Sequence, residues 1–334
     1  RGDMLTQGPV VHEFEKALTK VTGAQNAVAC ANGTAGLHLA MLALDLPAQS
    51  LGIVPAITFS ASANCLLYAG HRVQFADIDS DTGLLDLNDL ETILIEQVRK
   101  GDPVKVVVPV CFTGQSLDMV RLGKLKHKYG FNVVEDACHA IGAYYADSNV
   151  GVGSHPVADL SVMSFHPVKH IATGEGGAVL TADTNLHHRL LELRTHGITK
   201  DADRFSNKAE AFDQDAQPNL WYMELQELGY NYRLPDILAA LGASQVSRLT
   251  EMVEKRRLLA SVYNEAFQDN PWFKSLSQDK NGGCSYHIYV ALFRDDRLIG
   301  KRNILMKALR EKGVGTQVHY VPVPMMPLYA RAGH

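Results

Sequence analysis

Cysteine is scarce and scattered: Cys30, Cys65, Cys111, Cys138 and Cys284 form an odd set of five with no CxxC spacing. That argues against a disulfide framework or a structural zinc site and favours a reducing compartment, so the cytoplasm is the expected location. No apolar run approaches the roughly 18 residues that crossing a bilayer requires. Neither sign of charge prevails: 32 Lys and Arg stand against 36 Asp and Glu, a net charge of -4. A slightly acidic total speaks against broad binding to nucleic acid or an anionic membrane. The opening RGDMLTQGP lacks the apolar stretch and cleavage pattern of a signal peptide. Also missing are GxGxxG and GxxxxGK[ST], so dinucleotide-binding and P-loop readings lose their usual support.

What is present suits a folded enzyme-sized chain. Hydrophobic residues make up 46% of the 334, too many for intrinsic disorder. At about 150 residues per domain, two domains are expected.

Periodicity predicts helices at Val11–Val21, Thr34–Leu44, Phe59–Tyr68, Leu87–Lys100, Met119–Tyr129 and Leu186–Arg194. Between them lie strand-like runs at 52–55, 73–76, 104–110, 131–134, 160–165 and 178–181, with a shorter one just before Asn32. This alternation predicts an α/β fold whose mostly parallel sheet is covered on both faces. Residues 199–222 are polar and irregular; 234–267 read as helix, with Gly242 expected close to another backbone. Then Cys284–Phe293 reads as strand, Lys301–Lys312 as helix and Gly315–His319 as strand. The expected division is a large domain at 1–240 and a small C-terminal domain at 241–334.

Three segments could carry chemistry. In ANGTAG (Ala31–Gly36) a strand runs into Asn-Gly and then Thr34 at a helix start, where free N–H groups can hold a phosphate. The alternative is that Thr34 only caps the helix. In VVEDACHAIGAYY, Glu135 and Asp136 end a hydrophobic strand and His139 follows. Carboxyl ends of parallel strands are where such sheets bind ligands, although Asp136 could simply cap a turn. In SFHPVKHIATGEGG, Lys169 trails another strand of the same sheet. A phosphate cradle, a carboxylate and an amine together suit pyridoxal 5'-phosphate (PLP), through a lysine Schiff base and a protonated ring nitrogen.

Other chemistries fit less well. The pairs His187-His188 and His166/His170 lack HExxH-type spacing, so no metal site is expected. Cys111 and Cys138 read as buried small hydrophobes, and sequence neighbours such as Cys138 and His139 rarely face each other.

Four stretches together resemble the DegT/DnrJ/EryC1/StrS sugar aminotransferases: GDMLTQGPVVHEFE, EDACHAIGA, SFHPVKHIATGEGG and LGYNYRLPDILAALG. The resemblance implies the PLP-dependent transferase fold type I, with PLP and pyridoxamine 5'-phosphate as alternating cofactor forms. It assigns the Schiff base to Lys169, the ring-nitrogen partner to Asp136 and the ring-stacking residue to His139. Gly33, Thr34, Ala35 and Ser164 would hold the phosphate, and Thr58 and Phe59 would line the cofactor and substrate side. His319 and Tyr320 would close over the sugar. Asn231 would reach the cofactor phosphate of the partner subunit, making a homodimer with shared active sites.

The motifs HPVK and GVGTQVHYVPV look most like the branch that aminates a UDP-4-keto-6-deoxy-N-acetylhexosamine, the altrosamine type of the pseudaminic acid pathway. The implied reaction moves an amino group from L-glutamate to C4 of the sugar. The alternatives are C3 amination, another PLP reaction on a nucleotide keto sugar, or a non-catalytic sugar-binding or regulatory protein. Lys169 stands where dehydratase variants carry histidine, which argues against dehydration. Pro324 replaces the histidine expected in a PVH pattern, and PAQSLGIVPAITF lacks the usual acidic and glycine pair. The family usually starts earlier and runs past PLYARAGH, so a longer natural chain is expected.

Overall fold

The computed structural model describes Thr6 and residues 8–279, 282–293 and 296–333; Gly2–Leu5 and Gln7 of the opening motif lie outside them. Seven strands form the main sheet: β1 (Asn26–Cys30), β2 (Leu51–Pro55), β3 (Arg72–Ala76), β4 (Val106–Val107), β5 (Asn132–Asp136), β6 (Leu160–Ser164) and β7 (Gly177–Thr181). Their order is β1-β7-β6-β5-β4-β2-β3. Of these seven only β7 runs against the rest, pairing antiparallel with both β1 and β6.

Alternation along the strands builds two cores. Ala27, Val107 and Val133 face one hydrophobic cluster, while Val28, Val106 and Val134 face the other. Helices α1 (Pro9–Thr22), α4 (Leu87–Arg99) and α5 (Met119–Tyr129) cover the first face through Phe14, Leu90 and Leu122. On the second lie α2 (Gly33–Ala43), α3 (Ala61–Tyr68) and α6 (Thr184–Arg194), through Leu37, Leu66 and Leu190. Asp86, Asp118 and Asp183 cap α4, α5 and α6, each carboxylate accepting a first-turn N–H.

The polar stretch after α6 holds a two-stranded ribbon, β8 (Ile198–Thr199) with β9 (Glu224–Leu225), and one helical turn, α7 (Lys208–Ala211). The long helix expected at 234–267 is two: α8 (Asp236–Val246) and α9 (Leu249–Ala266), so position 240 falls inside α8. Gly242 of α8 meets the Phe14 ring rather than another backbone; a Cβ there would stand 2.6 Å from Phe14 Cε2. Beyond α9 come the ribbon β10 (Phe273–Ser275) with β11 (Ala291–Phe293), then α10 (Arg302–Glu311) and α11 (Pro327–Arg331).

Two expected strands are shorter than predicted, and a third is absent. The 104–110 run pairs as ladder only at Val106–Val107, because Pro109 brings no N–H to continue it. Of Cys284–Phe293, only the last three residues form a strand; Ser285 and His287 instead donate their N–H groups to Gly114 O and Thr113 O. Residues 315–319 form no strand and pair with none of the described strands.

Candidate active site

Because β1, β2, β5 and β6 are parallel, their carboxyl ends open on the same side of the sheet. A cleft of about 910 Å³ lies there. It is lined by Gly33, Thr34 and Ala35 beyond β1, Thr58 and Phe59 beyond β2, Asp136 and His139 at the end of β5, and Ser164 and Lys169 from β6 onward. His319 and Tyr320 close it from the C-terminal stretch. Asn231 alone among the expected site residues does not line it: it is exposed and bridges to Thr195.

The start of α2 is shaped as an anion cradle. Asn32, not Thr34, is the cap: its Oδ1 accepts the Ala35 N–H at 2.8 Å. The first two N–H groups of the helix, from Gly33 and Thr34, and the Thr34 hydroxyl are thereby left to the cleft. Gly33 is required by closeness: a Cβ there would lie 2.9 Å from Ser164 Cβ. Ser164 brings its own hydroxyl to the same corner.

Glu135 and Asp136 point to opposite faces of β5, as successive strand residues must. Glu135 is buried among donors: Tyr145 Oη at 2.8 Å, Ser161 Oγ at 2.8 Å and the Cys111 thiol at 3.3 Å. Burial pushes its carboxyl up despite those bonds. Cys111 is buried in the core as expected, with its thiol against the Glu135 carboxylate, and Cys138 lines the cleft. Burial raises both thiols well above their ordinary value, which leaves them poor nucleophiles.

Asp136 faces the cleft. Its Oδ2 accepts the Ser62 hydroxyl at 2.6 Å and its Oδ1 the Cys138 N–H at 3.1 Å. Thr58 Oγ1 lies 2.8 Å from Ser62 Oγ, so Thr58 reaches the carboxylate through Ser62. Asp136 is only 5% exposed, and among the described residues it makes no ion pair. A buried carboxylate held by neutral donors alone wants a cation opposite it.

Lys169 is half-buried, and burial lowers its ammonium below the ordinary lysine value; the Cys138 thiol and the Asp136 carboxylate pull the other way. His139 is held neutral, first by burial and then by the positive charge of Lys169. Its Nε2 lies 3.4 Å from Tyr320 Oη, and its buried Nδ1 has no partner among the described residues.

Sequence reasoning missed Ser62, Asn32 and His287. The Asn-Gly-Thr pattern before a helix could have signalled Asn32. Ser62 lies one helical turn beyond Thr58, a weak hint, while His287 comes from a segment read as strand.

The whole chain, residues 1–334, matches the DegT/DnrJ/EryC1/StrS aminotransferase family. The chain belongs to this family. The UDP-4-amino-4,6-dideoxy-N-acetyl-beta-L-altrosamine transaminase of Campylobacter jejuni is 36% identical over 331 residues, 99% of this chain and 81% of that protein. Helicobacter pylori PseC, an aminotransferase involved in the biosynthesis of pseudoaminic acid, superimposes with a TM-score of 0.87 at 30% identity, covering 99% and 82% of the two chains. A DegT DnrJ EryC1 StrS aminotransferase from Brucella abortus gives 0.83 at 26% identity, covering 98% and 80%.

This aminotransferase thus has the α/β fold type I of PLP enzymes, a large sheet domain followed by a smaller C-terminal one. Family and fold make it a PLP-dependent transaminase of the nucleotide-sugar kind. Its own residues fit the cofactor: free N–H groups at α2 for a phosphate, a buried carboxylate with no ion pair among the described residues for a protonated ring nitrogen, and an amine in the same cleft. Among the described residues no three His, Cys, Asp or Glu side chains gather as metal ligands do, and no helix is long and apolar enough to cross a membrane.

Proposed function

We propose that the aminotransferase moves the amino group of L-glutamate to C4 of a UDP-linked 4-keto-6-deoxy-N-acetylhexosamine, on a route of the pseudaminic acid type. The observation that carries the reading is Asp136 and Lys169 in one cleft with the start of α2. Bound PLP would supply an electron sink for the carbanion at the donor's α-carbon. Gly33, Thr34 and Ser164 would hold its phosphate, Ala35 only lining the cradle because its N–H is taken by Asn32, and Asp136 would keep the proton on its ring nitrogen. His139 would cover one ring face.

The Lys169 Nζ takes the α-proton from the amino donor and returns a proton when the sugar is aminated. Burial helps, since an amine below its ordinary pKa is more often free to act as base. Phe59, His319 and Tyr320 surround the open side of the cleft and would exclude water around the sugar. Asn231, turned away from the cleft of its own chain, would reach the phosphate of a partner subunit in a homodimer. HPVK and GVGTQVHYVPV support the UDP sugar, as does the C. jejuni relative at 36% identity.

The test has two parts. Borohydride treatment of the holoenzyme should leave reduced cofactor on the peptide containing Lys169 and none on the Lys169→Ala protein. A panel of nucleotide keto sugars with excess glutamate should then show amination at C4 of the UDP-N-acetyl-4-keto sugar, with weak turnover of dTDP sugars lacking the acetamido group. Cofactor on another lysine overturns the site. Preference for a 3-keto acceptor overturns the substrate and leaves the cofactor chemistry standing.

A further inference from the structure

Behind His139 the chain does something costly. Residues 285–287 leave the extended course that their sequence predicts and thread beneath the cleft. Tyr286 takes a left-handed φ of 48°, and Thr113, opposite it, takes 63°. Bulky or branched residues adopt that conformation only when their surroundings impose it, and such outliers gather at functional sites. Here the imposition is visible. Ser285 N–H donates to Gly114 O at 2.9 Å and His287 N–H to Thr113 O at 2.8 Å. Arg256 of α9 grips the other side, its Nη1 donating to Tyr286 O at 3.2 Å and to His287 O at 3.0 Å. Ser285 Oγ donates to His139 O at 3.2 Å, while His170 Nε2 donates to Ser285 O at 2.9 Å.

All this bonding places one ring. The His287 imidazole lies 4.4 Å from that of His139, centroid to centroid, at 43°. His170 backs it at 5.6 Å. His287 is 8% exposed, lines the cleft, and keeps a buried Nδ1 without a partner among the described residues. The groups facing it are His139, His170, His319, Lys169 and Arg256, none of them acidic. Burial first, then the positive charge of Lys169 and Arg256, pushes its pKa down to about 2. It therefore carries no charge, and what it offers His139 is a flat, polarisable surface.

Resting on the cofactor reading above, we infer that His287 is a positioning residue: its ring, clamped by the 285–287 thread, fixes the tilt at which His139 meets the cofactor ring. Touching His139 rather than the substrate, it acts through that neighbour. The thread also ties the cofactor site to α9 through Arg256.

The holoenzymes of His287→Ala and His287→Phe test this. A tilted ring contact of this kind predicts that His287→Ala loses PLP roughly three- to ten-fold faster on gel filtration. Its visible cofactor band should move as well, a signature that a loss of stability alone would not produce. His287→Phe, which restores an aromatic face, should stay within about two-fold of wild type and keep the band in place. An unmoved band with an unchanged loss rate in His287→Ala overturns the inference, as does His287→Phe behaving like His287→Ala. If neither variant folds, the wild-type apoprotein decides by histidine-labelled NMR. A ring-to-ring Overhauser contact between His139 and His287 at a pH of about 6, both neutral, supports the inference, and its absence overturns it. A wild-type chain that takes up no PLP overturns the cofactor reading and this one together; indifferent variants of a PLP-binding wild type overturn this one alone.

Discussion

Replacing Ser62 by Ala removes one donor from a buried carboxylate while leaving the Cβ in place. Ser62 is fully buried, and its hydroxyl lies 2.6 Å from Asp136 Oδ2 and 2.8 Å from Thr58 Oγ1. A hydroxyl has one proton, and the shorter contact to a charged acceptor takes it; Thr58 then donates to Ser62. The substitution deletes a charge-assisted bond worth about 1.5–3 kcal/mol and leaves the buried Thr58 hydroxyl short of an acceptor, so about 2–4 kcal/mol is expected in all. Urea unfolding of the apoprotein, monitored by tryptophan fluorescence, measures it without the cofactor. The decisive comparison is the same substitution in an Asp136→Asn background, where the bond is between neutral groups and worth only about 0.5–1.5 kcal/mol. A coupling of at least about 1 kcal/mol between the two sites should emerge. Equal costs in both backgrounds would show that the contact is not a charged hydrogen bond, and the account of how Asp136 is held would fall.

Gly33→Ala should weaken cofactor retention, because its Cβ would press on Ser164 Cβ at 2.9 Å and must displace the start of α2 or Ser164; overpacking of this sort costs about 1–3 kcal/mol, read as the rate of PLP loss from the holoenzyme. Acid should destabilise the chain through His170, whose pKa burial lowers to about 4 and whose buried Nδ1 has, among the described residues, no acceptor for an added proton. The folded state prefers the neutral ring, so this contribution is intact above the ordinary histidine value and is lost as pH falls from there toward 4, by up to about 3 kcal/mol. The His170→Gln protein, which can keep the bond to Ser285 O, should show a shallower fall in its urea midpoint between neutral pH and about pH 5. If Asn231 completes the partner's site as proposed, mixing Lys169→Ala and Asn231→Ala proteins under subunit exchange should restore part of the activity, since one composite site of a mixed dimer would escape both changes; full activity in a verified monomer would refute the shared site.

Local pattern carried most of the large domain. Alternation of strand and helix is enough to predict a covered, mostly parallel sheet, because each strand must bury both faces and each crossover helix brings the chain back to the same end of the sheet. Parallel strands in turn put their carboxyl ends together, which is why the sequence alone places Thr34, Asp136 and Lys169 around one cleft. Sequence also separates Asp136 from Glu135, if only by saying that neighbours on a strand face opposite ways. It could not say which of the two would face the cleft, since that depends on which helices cover which face.

Tertiary structure alone decided the rest. Ser62 matters because α3 packs where its hydroxyl meets Asp136, 74 positions along the chain. Nothing in a window of neighbours records such a meeting. The 285–287 thread reads as strand by composition, yet its N–H groups go to Thr113 and Gly114, and a left-handed Tyr286 turns His287 inward. A single long helix was legible between 234 and 267, but packing breaks it after Val246 without a Pro or Gly to announce the break. Local propensity sets what a segment can be; long-range hydrogen bonds and shared burial choose what it is.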